Sequence, residues 1–206
     1  MLPESIIFDI DGTLWDSVAL VAESWNLALE SMGLPGRCSE HSIPPLFGKT
    51  MEQIAQALMP ELPKDERETK MERFMEYENV YLAANPCRVF YPGIGETMEV
   101  LAKHHRLFIV SNCQQGYIEI CMDKGGFRHC IRDHACFGDT KTCKGETIRT
   151  IMTRNAVTEA VYVGDTQGDW EAAQVAGIPF IWASYGFGQP ESWDDRIDTF
   201  SDLLSR

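Results

Sequence analysis

From Leu107 onward the chain alternates short apolar, β-branched runs with stretches of helical period, and that alternation admits few folds. Leu107 to Val110, Ala160 to Val163 and Pro179 to Ala183 read as strands. Gln115 to Lys124, Glu146 to Asn155 with Ile148, Ile151 and Met152 inward, and a stretch through Trp170, Ala173 and Ala176 read as helices. Each return to a parallel strand must travel back over the sheet, so such a chain forms a parallel sheet with helices on both faces. Ser5 to Ile10 is an earlier run of the same kind, and Gly12 gives it a sharp exit. Residues 16 to 90 differ, with helical spacing and no convincing strand. Val18, Val21, Ala22, Trp25, Ala28, Leu29 and Met32 keep that spacing, with Asp16 or Ser17 as cap and Gly33 as stop. Met51 to Leu58 makes a short helix among prolines, and Lys64 to Ala84 carries Met71, Phe74, Met75, Tyr81 and Leu82 as a stripe among dense charges that read as a solvated face. The expected architecture is α/β: a doubly wound, mostly parallel sheet built from residues 1–15 and 92–206, interrupted by a helical cap over residues 16–91.

The segment Phe8-Asp9-Ile10-Asp11-Gly12-Thr13-Leu14 puts two carboxylates at the end of the first apolar run. Residues two apart in a strand face the same side, so both acids are expected in one cleft at the carboxyl end of the strand, where open α/β sheets bind ligands. Close carboxylates repel, and their pKa values rise unless a cation compensates them. Oxygen-only ligands suit Mg²⁺, which takes one or two carboxylates and completes its shell with water and phosphate. A D-x-D-G stretch also reads as an Asp-Gly turn with solvated acids, so other residues must decide. Val110-Ser111-Asn112 places a hydroxyl and an amide after the next run, and Gly164-Asp165-Thr166-Gln167-Gly168-Asp169 places two more acids after another. Lys144 begins the helix before that strand. Singly, Ser111 and Asp165 read as helix caps and Lys144 as a surface charge. Jointly, carboxylates for a cation, a hydroxyl and amide for phosphate oxygens, and a lysine for the remaining charge make a phosphoryl-transfer constellation.

A chain of 206 residues suits one ordinary domain or a core with a modest insertion. Its formal net charge of −13 argues against a nucleic-acid partner, because that recognition rests on Lys and Arg neutralising phosphates. A local cationic pocket can still hold a small anionic substrate. Met1-Leu2-Pro3-Glu4 leads straight into the first strand without a basic leader, and no apolar run reaches membrane-spanning length, so a cytoplasmic protein with no membrane partner is expected. The seven cysteines read as reduced thiols. His129, Cys130, His134, Cys136 and Cys143 contain no C-x-x-C pair, which ranks a zinc site far behind core or incidental roles.

These motifs resemble the haloacid dehalogenase-like (HAD) hydrolases, in particular the phosphoglycolate-phosphatase-like branch, over nearly the whole chain outside the cap. The resemblance implies that Asp9 in DIDGTLWDS is a nucleophile and Asp11 a general acid/base. It also implies that Ser111 and Asn112 bind the phosphoryl group, and that Mg²⁺ is held by the Asp9 carboxylate, the Asp11 backbone carbonyl and Asp165, with Asp169 as an orienting neighbour. In the commonest family pattern the lysine is followed by proline. Neither Lys141 nor Lys144 is, but Lys144-Gly145-Glu146-Thr147-Ile148 looks like the variant in which the lysine opens a helix, which favours Lys144 as catalytic and phosphate-binding. YPGIGETMEVL resembles the return from the cap, and Tyr185-Gly186-Phe187-Gly188 the glycine-rich loop after the last strand. The implied activity is Mg²⁺-dependent hydrolysis of a small phosphorylated metabolite, such as phosphoglycolate or a sugar phosphate monoester, through an aspartyl-phosphate. A phosphomutase shares these core motifs. A metal-free dehalogenase would leave the extra acids as costly like charges. A receiver-type signalling domain pairs similar residues but has no reason to carry so long a helical insertion. The cap is expected to close on small substrates, with Lys49, after Gly48, as the candidate for an anionic substrate tail.

Overall fold

The computed structural model describes residues 1–86 and 89–206. In chain order its elements are β1 (Ser5–Phe8), α1 (Val18–Ser31), α2 (Met51–Leu58), α3 (Lys64–Ala84), α4 (Ile94–Leu101), β2 (Arg106–Ser111), α5 (Tyr117–Gly125), β3 (Ile131–Cys136), α6 (Phe137–Thr140), α7 (Lys144–Arg154), β4 (Ala160–Gly164), α8 (Gln167–Ala176), β5 (Phe180–Ala183) and β6 (Asp195–Ile197). Two compact units result: Met1–Asp16 with Arg88–Arg206, and Ser17–Cys87.

The first unit is a six-stranded sheet in the order β3-β2-β1-β4-β5-β6, with every pairing parallel. β1 is central because Ser-Ile-Ile-Phe is wholly buried and pairs on both edges. Phe8 stands level with Ile109 on one side and Val163 on the other, so β1, β2 and β4 deliver their following residues to one end of the sheet. The strand order reverses at β1, the switch point at which doubly wound sheets open a crevice. On one face Ile7, Phe108, Val110 and Tyr162 pack with Ile148 and Ile151 of α7 and Ala172 and Ala173 of α8. On the other, Phe8 meets Phe200 at 5.5 Å between ring centroids.

The structure departs from the sequence reading at the strands. β1 stops at Phe8, two residues short of the expected Ile10, and the acids lie in a turn beyond it. Two strands were not anticipated at all: β3 and β6, the edges. Arg132, Asp133 and His134 in one and Asp195 and Arg196 in the other hide the strand signal, as charges on edge strands do while they discourage pairing with other chains.

The second unit is helical. α1 and α2 both pack against α3. α2 is opened by a capping box in which Gln53 N donates to the Thr50 hydroxyl at 3.3 Å and Thr50 N to Gln53 Oε1 at 3.0 Å. α3 buries Met71, Phe74, Glu78 and Leu82, and the carboxylate in that stripe is explained by Trp25 of α1. Its indole Nε1 donates to Glu78 Oε2 at 2.9 Å, while its ring lies 5.3 Å from that of Phe74. No helix among the described residues is long and apolar enough to cross a membrane.

Candidate active site

Asp9 leaves β1 with its N–H bonded to Val163 O at 2.9 Å, which pins it beside the end of β4. The chain then folds on itself: the N–H groups of Thr13, Leu14 and Trp15 all donate to Ile10 O, and Gly12 N donates to Trp15 O. Gly12 adopts φ +80°, and a Cβ there would collide with the Asp165 carboxylate, so glycine is required on two counts. The turn, rather than strand alternation, places Asp9 and Asp11. Both are buried.

Lys144 opens α7 and reaches back into the same place. Its ammonium donates to Asp9 Oδ1 at 3.0 Å and to Asp169 Oδ1 at 2.7 Å, with only 5% of the side chain exposed. Asp169 in turn closes the capping box of α8: Asp165 N, Thr166 N and the Thr166 hydroxyl all donate to its Oδ2. One carboxylate thus caps a helix with one oxygen and orients a lysine with the other. Lys141 lies apart from these acids, on the surface, with φ 55° and its ammonium 5.7 Å from the Phe137 ring. Ser111, buried, ends β2, and Asn112 follows it half-buried.

Asp165 is fully buried and its Oδ2 accepts from Phe187 N at 2.7 Å. Its other oxygen, Oδ1, is buried and receives no hydrogen bond. Carboxylate oxygens of Asp9, Asp165 and Asp169 all lie within 4.8 Å of one another. A buried, unpartnered oxygen within a group of hard oxygen donors fits a divalent cation of the Mg²⁺ type. The electrostatics agree. Burial pushes Asp9 up to about 7; Lys144 opposes the shift, while Asp169 and Asp11 add to it. Burial, with Asp169 and Asp9 beside it, pushes Asp165 well above the usual carboxylate range. Asp169 escapes the same effect of burial because Lys144 and Thr166 hold it below that range. Burial works against the charge of Lys144, but Asp169 and Asp9 outweigh it and raise its pKa. One ammonium against three close carboxylates leaves negative charge that a dication would answer.

The structure therefore brings together Asp9, Lys144, Asp165 and Asp169, with Asp11 and Ser111 at the neighbouring ends of β1 and β2. Lys49 belongs to the helical unit, exposed just before the Thr50 cap. Of the Cys/His group, His129 and Cys130 converge with Glu99, and His129 Nε2 lies 2.6 Å from Glu99 Oε1. Cys136 instead donates to Asp139. Two residues escaped the sequence reading: Trp15, whose Nε1 donates to Asp11 Oδ1 at 2.8 Å, and Tyr117, whose hydroxyl donates to the same oxygen at 2.6 Å. Trp15 sits inside the motif, but nothing in the sequence marks Tyr117, which is 106 residues from its partner.

A haloacid dehalogenase-like hydrolase family model matches residues 6–183. The phosphoglycolate phosphatase of Aquifex aeolicus is 30% identical over 97% of this chain and 94% of its own length, and that of Haemophilus influenzae 27% identical over 96% and 95%. A solved structure from Haemophilus somnus, described as a predicted phosphoglycolate phosphatase, superposes with a TM-score of 0.83 at 25% identity, covering 98% of this chain and 96% of that one.

Proposed function

The chain belongs to the haloacid dehalogenase-like hydrolases and is a phosphatase, and from that premise we propose that it hydrolyses a small phosphate monoester with Mg²⁺ through a covalent phosphate on Asp9. The observation that carries this reading is the Asp9–Lys144–Asp169 ion group, whose two carboxylates lie within 4.8 Å of the carboxylate of Asp165, one oxygen of which is buried and receives no hydrogen bond. An Asp9 oxygen attacks phosphorus as the bond to the ester oxygen breaks, a recognised use of carboxylate as nucleophile. Asp11 gives its proton to the departing oxygen, then takes one from the water that attacks phosphorus, and the Asp9–phosphate bond breaks to release inorganic phosphate. Lys144, held by Asp169, fixes the Asp9 carboxylate and, with Ser111 and Asn112, meets the phosphoryl oxygens. The Asp9 and Asp165 carboxylates and the Asp11 backbone carbonyl would hold Mg²⁺. Bound there, the ion would stabilise charge on the phosphoryl oxygens as a Lewis acid.

The relatives named phosphoglycolate phosphatase support a short, anionic ester as substrate. A screen of phosphorylated metabolites with Mg²⁺, scored by inorganic phosphate, tests both parts. Release is expected from a small ester and not from Asp9→Asn protein. Turnover by pure Asp9→Asn protein at the normal rate would rule the mechanism out, and release from no metabolite would rule out the substrate class.

A further inference from the structure

The acid two residues after the proposed nucleophile is anchored by a buried aromatic pair. Trp15 Nε1 and the Tyr117 hydroxyl both donate to Asp11 Oδ1, at 2.8 and 2.6 Å. Trp15 is fully buried and Tyr117 is 1% exposed. Their rings meet edge to face at 5.4 Å between centroids, and Phe90 backs Trp15 at 5.6 Å, with Phe127 edge-on behind it at 5.9 Å. Tyr117 is itself placed by Gly116, whose φ of +86° turns the chain into α5. A buried Tyr or Trp needs a partner for its polar tip, and any nearby backbone carbonyl would serve that need. Here both tips converge on one carboxylate oxygen.

We propose that Tyr117, with Trp15, is a positioning residue that holds the Asp11 carboxylate in the one orientation from which it exchanges protons with the ester oxygen and with water. The inference rests on Asp11 being the general acid/base, as above. An oxygen accepting two hydrogens is a poor place for a third, so the exchangeable proton resides on Oδ2. Rotation of the carboxylate would break both bonds, so the direction of Oδ2 is fixed by the aromatic wall. In the first step the Oδ2 proton passes to the leaving oxygen as its bond to phosphorus breaks; in the second, a proton of the attacking water returns to Oδ2.

The test is Tyr117→Phe, which removes the hydroxyl and keeps the ring, assayed in the full chain with Mg²⁺ on an alkyl phosphate and on p-nitrophenyl phosphate. p-Nitrophenolate departs with little need of a proton. The kcat/KM for the alkyl ester, which reports the first step alone, should fall about tenfold or more, a part of the ~10²–10⁴ that acid–base assistance is worth, with a much smaller loss on p-nitrophenyl phosphate. In an Asp11→Asn background the same substitution should cost nothing further. Trp15→Phe, deleting the other donor, should show the same leaving-group pattern and serves if Tyr117→Phe does not fold. Equal losses of kcat/KM on both esters, no loss, or a gain on the alkyl ester would overturn the proposal. The Asp11→Asn single variant separates the two layers. If it shows no leaving-group dependence, the acid/base role fails and this inference with it; if it does while both aromatic variants do not, only the positioning role fails.

Discussion

Lys144 keeps its charge in a place where burial alone would remove it, because two carboxylates sit at 2.7 and 3.0 Å. Removing one partner of a buried ion group leaves the others uncompensated, which typically costs ~3–5 kcal/mol. Lys144→Ala should therefore lower stability by about that much in denaturant titration and also abolish most turnover, whereas Lys141→Ala, on the surface, should change neither. The opposite order in the two assays would mean that Lys141 is the working lysine. The proposed metal dependence is tested on the same cluster: EDTA should inactivate, Mg²⁺ should restore, and Asp165→Ala should raise the Mg²⁺ concentration needed for half-maximal rate. Full activity in EDTA would contradict the cation reading. Asp9, Asp165 and Lys144 stand out in the sequence because each follows a strand or opens a helix, while the preference for Lys144 over Lys141 and the role of Asp169 rest on the family resemblance alone. The Tyr117–Asp11 contact was not legible, since it joins residues that only the β1–β2 pairing brings near each other, and a tyrosine in a helix carries no mark of its partner.

At the scale of elements, helices were easier to read than strands. α2 and α3 begin and end where the periodicity and the prolines put them, at Met51–Leu58 and Lys64–Ala84. β3 was missed because its polar residues are tied up in a way that only packing reveals. Arg154, at the end of α7, forks onto Asp133 of β3 at 2.6 and 2.7 Å, and Asn155 adds a further bond. Partial burial would raise the Asp133 pKa, but those bonds outweigh it and hold the carboxyl below its ordinary value. A depressed carboxylate stabilises the fold above its unfolded pKa of about 3.9 and loses that contribution as pH falls through the folded value. Asp133→Asn should thus lower the midpoint of thermal unfolding at neutral pH, by an amount corresponding to ~1 kcal/mol for a partly exposed pair. The gap to the unsubstituted protein should close below about pH 4. A gap that does not narrow as pH falls below about 4, or widens, would show that the pair does not titrate as described.

For the whole molecule, the doubly wound class was legible from alternation alone, but strand order was not, because sequence gives no sign that β1 would stand between β2 and β4. The helical unit enters after Asp16, and the chain returns beside its point of departure: Asp16 N donates to Val89 O at 2.7 Å and Tyr91 N to Leu14 O at 3.2 Å, both within the sheet unit. Ends so close can be joined by a short Gly/Ser linker in place of residues 17–88. If that segment governs substrate choice, the intact protein should prefer small esters to a phosphopeptide and the shortened chain should unfold cooperatively yet lose that preference. An unchanged preference in a folded, shortened chain would remove specificity from the helical unit. The central place of β1 also bears on synthesis. It emerges first, yet its neighbours start at Arg106 and Ala160, so at ~5–20 residues per second it waits about 5–20 s for β2 alone. During that time Ser-Ile-Ile-Phe is a bare sticky strand, and the charges beside it, Glu4, Asp9 and Asp11, are those expected to discourage its pairing with a neighbouring nascent chain. Two of the acids assigned to chemistry in the finished protein thereby occupy the flanking places in which gatekeeper charges belong.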